Sequence, residues 1–114
     1  MPYISVNTTL HLEKEQKDKI AKGIGGIMPL IPGKTEAVLM IDISDGHTMF
    51  FAGENKERCA FVDVRCYNQA QFEANKEFTE ALFALLKDTM GLAENEIYVN
   101  IIEMPVWGSK GTLK

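Results

Sequence analysis

The order strand, helix, strand occurs twice in this chain, and this repeat constrains the fold more than any other feature of the sequence. The first unit runs from Tyr3 to Ile43 and the second, at nearly the same spacing, from Ala60 to Glu103. Each unit predicts a β-α-β crossover, which is right-handed. Two such units side by side predict an α/β (α+β) fold, β-α-β-β-α-β, with a four-stranded mixed sheet and two helices on one face. The 114 residues suit one domain, so we expect residues 1–114 to fold as a single unit.

Apolar stripes with helical spacing place the two helices. The first is expected between about Glu13 and Ile31, and the second within Asn68–Met90, with Gly91 as its C-cap. Three glycines inside the first helix each cost about 1 kcal/mol relative to alanine, and close packing against the sheet is the expected compensation. The stripes consist of Ile20, Ile24, Ile27, Met28 and Ile31 in the first helix and Phe78, Leu82, Leu85, Leu86 and Met90 in the second.

The strands predict a sheet with one face that the helices leave bare. Ala37–Ile43 and Ile97–Ile102 are apolar on both faces, whereas two helices can cover only one face. A monomer would therefore expose a large apolar patch. We expect oligomerisation through the sheet with closed symmetry, and we place Met40 and Phe50 in the core rather than in a site.

Charge and composition exclude several classes of partner and chemistry. The net charge of -4 and the pI of about 5.1 argue against nucleic acids and anionic membranes, which attract basic surfaces. No apolar run is long enough to span a bilayer and no secretory signal is visible, so a cytoplasmic location is expected. Cys59 and Cys66 form no Cys-x-x-Cys motif and predict buried, reduced thiols. His11 and His47 stand apart from any ligand set, so no metal site is expected.

Met1-Pro2, directly before the first strand, is the first candidate for catalysis. The small side chain of Pro2 permits removal of Met1, which would leave a secondary amine fixed at the start of a strand. Burial disfavours the charged form of an amine and lowers its pKa, so such an amine could move protons near neutral pH. The alternative interpretation is a plain N-terminus, and this pair of residues alone does not decide between the two.

Short segments along the whole chain support the catalytic interpretation through their order and spacing. They are Met1-Pro2, Gly33-Lys34, Met49–Gly53 followed by Cys59–Phe61, Ile97–Asn100, and Trp107–Thr112. With these segments the chain resembles the tautomerase superfamily, most closely the macrophage migration inhibitory factor and D-dopachrome tautomerase branch. The resemblance implies a homotrimer whose three sheets wrap into a central barrel, with active sites at the subunit interfaces. It also implies a reaction without cofactors, the keto–enol tautomerisation of phenylpyruvate-like α-keto acids or dopachrome-like compounds.

The resemblance implies a catalytic centre that contains Pro2 and Lys34. Pro2 would act first as general base and then as acid. Lys34 would neutralise the carboxylate of the substrate, and its field would help to keep the Pro2 amine unprotonated. Without the resemblance, Lys34 is a solvent-facing lysine at a helix end, where it meets the helix dipole favourably.

Cys66 and Tyr67 would bind the substrate by the same resemblance. They end a strand at the place where relatives offer a backbone N–H to the substrate carboxylate. Relatives usually carry an Ile-Gly pair that begins at the position of Tyr67, whereas this chain has Tyr67-Asn68. The replacement predicts a bulkier and more polar pocket wall, and with it a different substrate preference.

Four further residues are implied as substrate-binding. Tyr98 and Asn100 point to the same face of a strand and would enter the site from a neighbouring subunit. Their alternative role is packing at the interface. Val106 and Trp107 would form the hydrophobic mouth of the site, or else pack the C-terminal tail across the neighbour.

Two other functions remain open at the level of sequence. Members of this branch can act as extracellular cytokine-like factors without a classical signal, which implies non-classical secretion and a cell-surface receptor as partner. Such a signalling or host-mimicking protein would carry a vestigial tautomerase pocket. The third alternative is an α/β oligomer with no tautomerase function. A monomeric state would favour that alternative, because the site needs an interface.

Overall fold

The computed structural model describes residues 1–114 and confirms the tandem β-α-β architecture. The elements are β1 Pro2–Thr8, α1 Lys14–Ile27, β2 Met40–Ser44, β3 Met49–Phe51, β4 Glu54–Lys56, β5 Ala60–Tyr67, α2 Phe72–Met90, β6 Ile97–Met104, β7 Gly108–Ser109 and β8 Thr112–Leu113, with short 3-10 turns at Met28–Leu30, Glu36–Val38 and Glu94–Glu96. The central sheet has four strands in the order β2-β1-β5-β6, with β1–β2 and β5–β6 parallel and β1–β5 antiparallel. The sheet is therefore mixed, as expected.

The core lies between one face of the sheet and both helices. Burial alternates strictly along β1 and β5, because every second side chain points toward α1 and α2. The fully buried side chains of this core include Ile4, Val6, Val62 and Val64 from the sheet, Ile20 and Ile24 from α1, and Phe78, Leu82 and Leu86 from α2. No helix of the chain combines the length and hydrophobicity that a bilayer span requires.

The first helix ends earlier than its apolar stripe suggests. It stops at Ile27, and Met28–Leu30 continue as a 3-10 turn instead of an α-helix that reaches Ile31. Pro29 explains the difference, because it has no N–H for the helical hydrogen bond. At the other end, the Glu13 N–H donates to Gln16 Oε1 at 3.0 Å, so the start is capped better than the sequence suggests.

The glycines of α1 allow close approach of two neighbours, but neither neighbour is the sheet. A Cβ on Gly23 would collide with the side chain of Leu85, so this glycine lets α1 approach α2. A Cβ on Gly25 would collide with Glu36, in the turn that leads to β2. Gly26 faces open space, and no packing reason for it is visible.

The face of the sheet opposite the helices is polar in its middle, which corrects the expectation of strands that are apolar on both faces. Paired positions along one row across the sheet are Asp42, Ser5, Asp63 and Asn100, on β2, β1, β5 and β6. Ala37–Ile43 is also not one strand, because Glu36–Val38 form a 3-10 turn and β2 begins at Met40. The apolar part of this face is confined to its ends, at Met40, Phe61, Tyr98 and Ile102.

The placement of Met40 and Phe50 in the core is wrong for the single chain. Their exposed fractions are 66% and 72%. Met40 lies on the open face of the sheet, which no other element of this chain covers, and Phe50 lies on β3 in a separate two-stranded hairpin with β4. Apolar character alone did not show that Met40 would lie on the face away from the helices or that Phe50 would lie outside the central sheet.

Candidate active site

The N-terminal end of β1 is held against the end of β5. Pro2 is buried and lies opposite Cys66 in the antiparallel ladder. Before it, the Met1 carbonyl accepts a hydrogen bond from the Tyr67 N–H at 3.2 Å. The first two residues are therefore tied to the last two of β5, and the nitrogen of Pro2 is fixed in space by backbone pairing.

Lys34 reaches this same end of the sheet from the turn after α1. Gly33 takes a positive φ of 81°, a conformation that glycine adopts without strain. The Lys34 N–H then donates to Ile31 O at 3.1 Å and closes the turn. The Lys34 Nζ donates to the carbonyl of Tyr67, so its side chain is directed into the structure rather than toward solvent. No carboxylate forms an ion pair with it.

The electrostatic environment at this end favours neutral amines and thiols. Burial lowers the pKa of the Met1 amine below its usual range, and the positive charge of Lys34 lowers it further; Cys66 acts in the opposite direction, and Lys114 adds the smallest lowering effect of the four. The Cys66 thiol is buried in the core, and this burial raises its pKa despite the nearby charge of Lys34. Cys66 thus presents its backbone, not a reactive thiolate, to the end of the ladder.

Lys114 is a residue of this region that sequence reasoning missed. Lys110 and Gly111 both take positive φ, 52° and 80°, and form the two-residue turn of the β7–β8 hairpin. At the base of this hairpin the Trp107 N–H donates to Lys114 O at 2.9 Å. The Lys114 Nζ lies 5.9 Å from the centroid of the Tyr67 ring. The only signal in the sequence is the Lys-Gly pair, which is a weaker hairpin signal than Asn-Gly.

The two predicted mouth residues, Val106 and Trp107, precede this hairpin. Trp107 is half-buried and Val106 is 53% exposed. The Asn68 N–H donates to Met104 O at 3.1 Å, which ties the start of this tail to the end of β5. This tail thus begins at the same end of the sheet as Pro2, Lys34, Cys66 and Tyr67.

Tyr98 lies at the other end of the open face, and Asn100 lies in its middle row. Tyr98 is beside Phe61 in the parallel ladder, and Phe61 is five residues before Cys66 on β5. At a rise of about 3.3 Å per residue, Tyr98 is displaced by roughly 16 Å along the sheet from the rung that holds Pro2. One chain alone does not bring Tyr98 to Pro2.

The surroundings of Tyr98 and Asn100 are well defined. The Asn100 Nδ2 donates to Asp63 Oδ1 at 3.1 Å on the open face. The Tyr98 ring packs against Phe51, with centroids 5.0 Å apart and an interplanar angle of 43°. Next to them is an open apolar cavity of about 450 Å³, lined by Met49, Phe50, Phe51, Ala52, Cys59, Ala60, Phe61 and Tyr98.

Asn68 occupies a backbone position that suits glycine, and this leads to a stability prediction. Its φ is 70°, where a side chain costs about 1–2 kcal/mol unless it is asparagine or aspartate. We expect Asn68→Ala to lower the free energy of unfolding by about 1 kcal/mol and Asn68→Gly to change it by less than about 0.5 kcal/mol. Urea unfolding at a fixed protein concentration measures both variants. Gln69→Ala, at an exposed neighbouring residue, is the control. Equal losses for Asn68→Ala and Asn68→Gly would contradict this account.

Comparison with known proteins identifies one family with this fold. Residues 1–113 match the family model of macrophage migration inhibitory factor. The chain is 23% identical to a macrophage migration inhibitory factor homologue of Wuchereria bancrofti, over 91% of this chain and 89% of the relative. It is also 23% identical to D-dopachrome decarboxylase-B of Xenopus laevis, over 99% and 97% of the two chains. Among solved structures, Leishmania major MIF2 matches with a TM-score of 0.90 and 23% identity, over 100% of this chain and 97% of that one.

Proposed function

Because this chain belongs to the macrophage migration inhibitory factor family, we propose that without Met1 it is a keto–enol tautomerase that needs no cofactor. Its substrates are phenylpyruvate-like α-keto acids or dopachrome-like compounds. The observation that carries the proposal is the convergence of three groups at one end of the sheet: the nitrogen of Pro2, the Lys34 Nζ and the Tyr67 N–H. The relative from Xenopus laevis, named for D-dopachrome, supports this class of substrate.

Pro2 is the acid and base of the proposed reaction. When Met1 is removed, the nitrogen of Pro2 becomes a secondary amine, and the burial and positive charges that lower the pKa of the Met1 amine act on it at nearly the same place. A neutral amine can take a proton from the carbon next to the keto group, which leaves an enolate whose oxygen then takes a proton. In the opposite direction the protonated Pro2 returns a proton to that carbon.

The substrate carboxylate is bound by Lys34 and the backbone of Tyr67. With Met1 in place, the Met1 carbonyl uses the Tyr67 N–H. Removal of Met1 frees this N–H. It belongs to the same residue whose carbonyl accepts a hydrogen bond from the Lys34 Nζ. An ammonium group and a backbone N–H together provide charge-assisted hydrogen bonds to a carboxylate. Cys66 fixes the strand end through its pairing with Pro2.

Tyr98 and Asn100 join the site from a second copy in the proposed homotrimer. Within one chain Tyr98 is roughly 16 Å and Asn100 roughly 10 Å along the sheet from the rung of Pro2, while the face that carries them is open to solvent. A neighbouring copy can place its own Tyr98 and the apolar cavity beside it against Pro2, where they hold the aromatic ring of the substrate. Val106 and Trp107 complete the hydrophobic mouth.

A complementation experiment tests this function and the shared site together. Pro2→Gly chains and Tyr98→Ala chains, both without Met1, are purified separately and also refolded as an equimolar mixture. Phenylpyruvate enolisation by the mixture should exceed the mean of the two parents, because about a quarter of the interfaces in random trimers combine an intact Pro2 with an intact Tyr98. Mixtures of wild type with each variant provide the controls.

Two results would contradict parts of the proposal. Activity equal to the parental mean, with exchange of chains confirmed by native mass spectrometry, would place the site within one chain. Absence of turnover in wild-type protein that lacks Met1 would remove the enzymatic function. It would leave the alternative of an interaction protein with a vestigial pocket.

A further inference from the structure

Two lysines with no acidic partner flank a single residue, Tyr67, at the candidate site. The Lys34 Nζ donates to its carbonyl, and the Lys114 Nζ lies 5.9 Å from the centroid of its ring. None of the five ion pairs of the chain includes either lysine. Tyr67 therefore has an ammonium group at its carbonyl and another near its ring, and neither charge is paired with a carboxylate, in a chain with a net charge of -4.

The second cation is positioned by backbone structure rather than by a free tail. The β7–β8 hairpin pairs Gly108 with Leu113 and Ser109 with Thr112. Two hydrogen bonds between Trp107 and Lys114, of 2.9 and 3.0 Å, extend this pairing by one rung. The main chain of Lys114 is thereby fixed, and its ammonium group needs to order only its own side chain to remain over Tyr67.

The charge of Lys114 reaches the catalytic end of the chain. It is one of the two cations, with Lys34, that lower the pKa of the Met1 amine. Its ammonium group therefore acts at the place where the proposed substrate lies. The two lysines differ in location, because Lys34 is at the main chain of Tyr67 and Lys114 is at its aromatic ring.

We propose that Lys114 is a second anion-binding group of this site, which makes the site selective for α-keto acids that carry another anionic group at the far end. Lys34 and the Tyr67 N–H bind the carboxylate next to the keto group, and Lys114 binds the distal one. The inference rests on the proposed function, because it places the diacid in the proposed tautomerase site. In this inference the preference for diacids is determined by Lys114, at the base of the β7–β8 hairpin, together with the Tyr67 ring.

The test compares two acids of equal carbon length on the chain without Met1. The probes are 2-oxoglutarate, which has two carboxylates, and 2-oxopentanoate, which has one. Each is measured as an inhibitor of phenylpyruvate turnover and by calorimetric titration. We expect 2-oxoglutarate to bind about three- to tenfold more tightly, with a preference that shrinks as salt is added, because exposed charge pairs are weak and screened.

Variants of the hairpin locate the effect. Lys114→Gln should abolish the preference for the diacid and leave 2-oxopentanoate binding within about twofold, whereas Lys114→Arg should retain the preference. Lys110→Gln, which makes the same charge change on the same hairpin at an exposed turn residue, is the matched control and should leave the preference intact.

The outcomes separate this inference from the function on which it rests. Equal affinity of the two acids for the wild-type chain, or the same loss in Lys110→Gln as in Lys114→Gln, overturns the role of Lys114 even if phenylpyruvate is turned over. If phenylpyruvate is not turned over, the proposed function fails, while calorimetry on the same samples still decides for or against the second anion site.

Discussion

Phenylpyruvate turnover should fall by about 10²- to 10⁴-fold when Met1 stays on the chain, which is the range that a positioned acid–base group contributes. Two changes at one place combine to give this effect. With Met1 attached, the nitrogen of Pro2 is part of an amide and has no basic lone pair. The Met1 carbonyl also uses the Tyr67 N–H, at 3.2 Å, that is proposed for the substrate carboxylate.

The measurement needs one sample in two states. Protein expressed with methionine aminopeptidase inhibited retains Met1, and treatment of that sample with the purified peptidase removes it. Intact mass reports the fraction processed, and kcat/KM should rise in proportion to it. A processed Pro2→Gly chain, with a primary amine in the same place, serves as a second comparison and should remain far below wild type. Equal turnover before and after removal of Met1 would rule out Pro2 as the base.

Loss of the Lys34 charge should raise the KM for phenylpyruvate about 10- to 100-fold, because a hydrogen bond to a charged group contributes about 1.5–3 kcal/mol. The structure places the Lys34 Nζ at the Tyr67 carbonyl with no carboxylate to neutralise it. We therefore expect Lys34→Gln to affect binding more than kcat. Lys22→Gln, at an exposed position of α1, makes the same change in net charge and is the control.

Lys34→Gln should also shift the pH profile of kcat/KM, and the direction of the shift follows from the lost positive charge. The positive charge of Lys34 lowers the pKa of the amine at this end of the chain. Removal of that charge raises the pKa of the Pro2 amine, so the rise of kcat/KM with pH should move to higher pH in Lys34→Gln and stay in place in Lys22→Gln. A profile that does not move, or moves to lower pH, would contradict the proposed electrostatic role of Lys34.

The repeat of strand, helix and strand was predictable because each element carries its own periodicity. In the sequence of β5, Phe61, Asp63 and Arg65 alternate with Ala60, Val62 and Val64, and in the structure the second set is buried while the first is not. Helix stripes were predictable for the same reason, except where Pro29 ends the α-helical hydrogen bonding.

Features that depend on distant parts of the chain were not predictable from local pattern. Which face of a strand the helices cover is decided by tertiary packing, and so Met40 was assigned to the core although it is 66% exposed. The approach of Lys114 to Tyr67 depends on a hairpin whose turn residues, Lys110 and Gly111, give a weak signal. Pro2 was a candidate from its place after Met1 at the start of a strand, whereas Lys34 was singled out only through the resemblance, because a lone lysine after a helix has no pattern that reveals a role.

Met1 and Lys114 both lie at Tyr67, and this has a practical consequence for anyone who produces the protein. Met1 binds its backbone N–H and Lys114 lies over its ring. An affinity tag at the first residue would cap Pro2, and a tag attached after Lys114 would extend from the neighbourhood of Tyr67. Recombinant preparations with a tag at either end should therefore be compared only with material from which the tag has been removed. For an N-terminal fusion, cleavage must expose Pro2 itself.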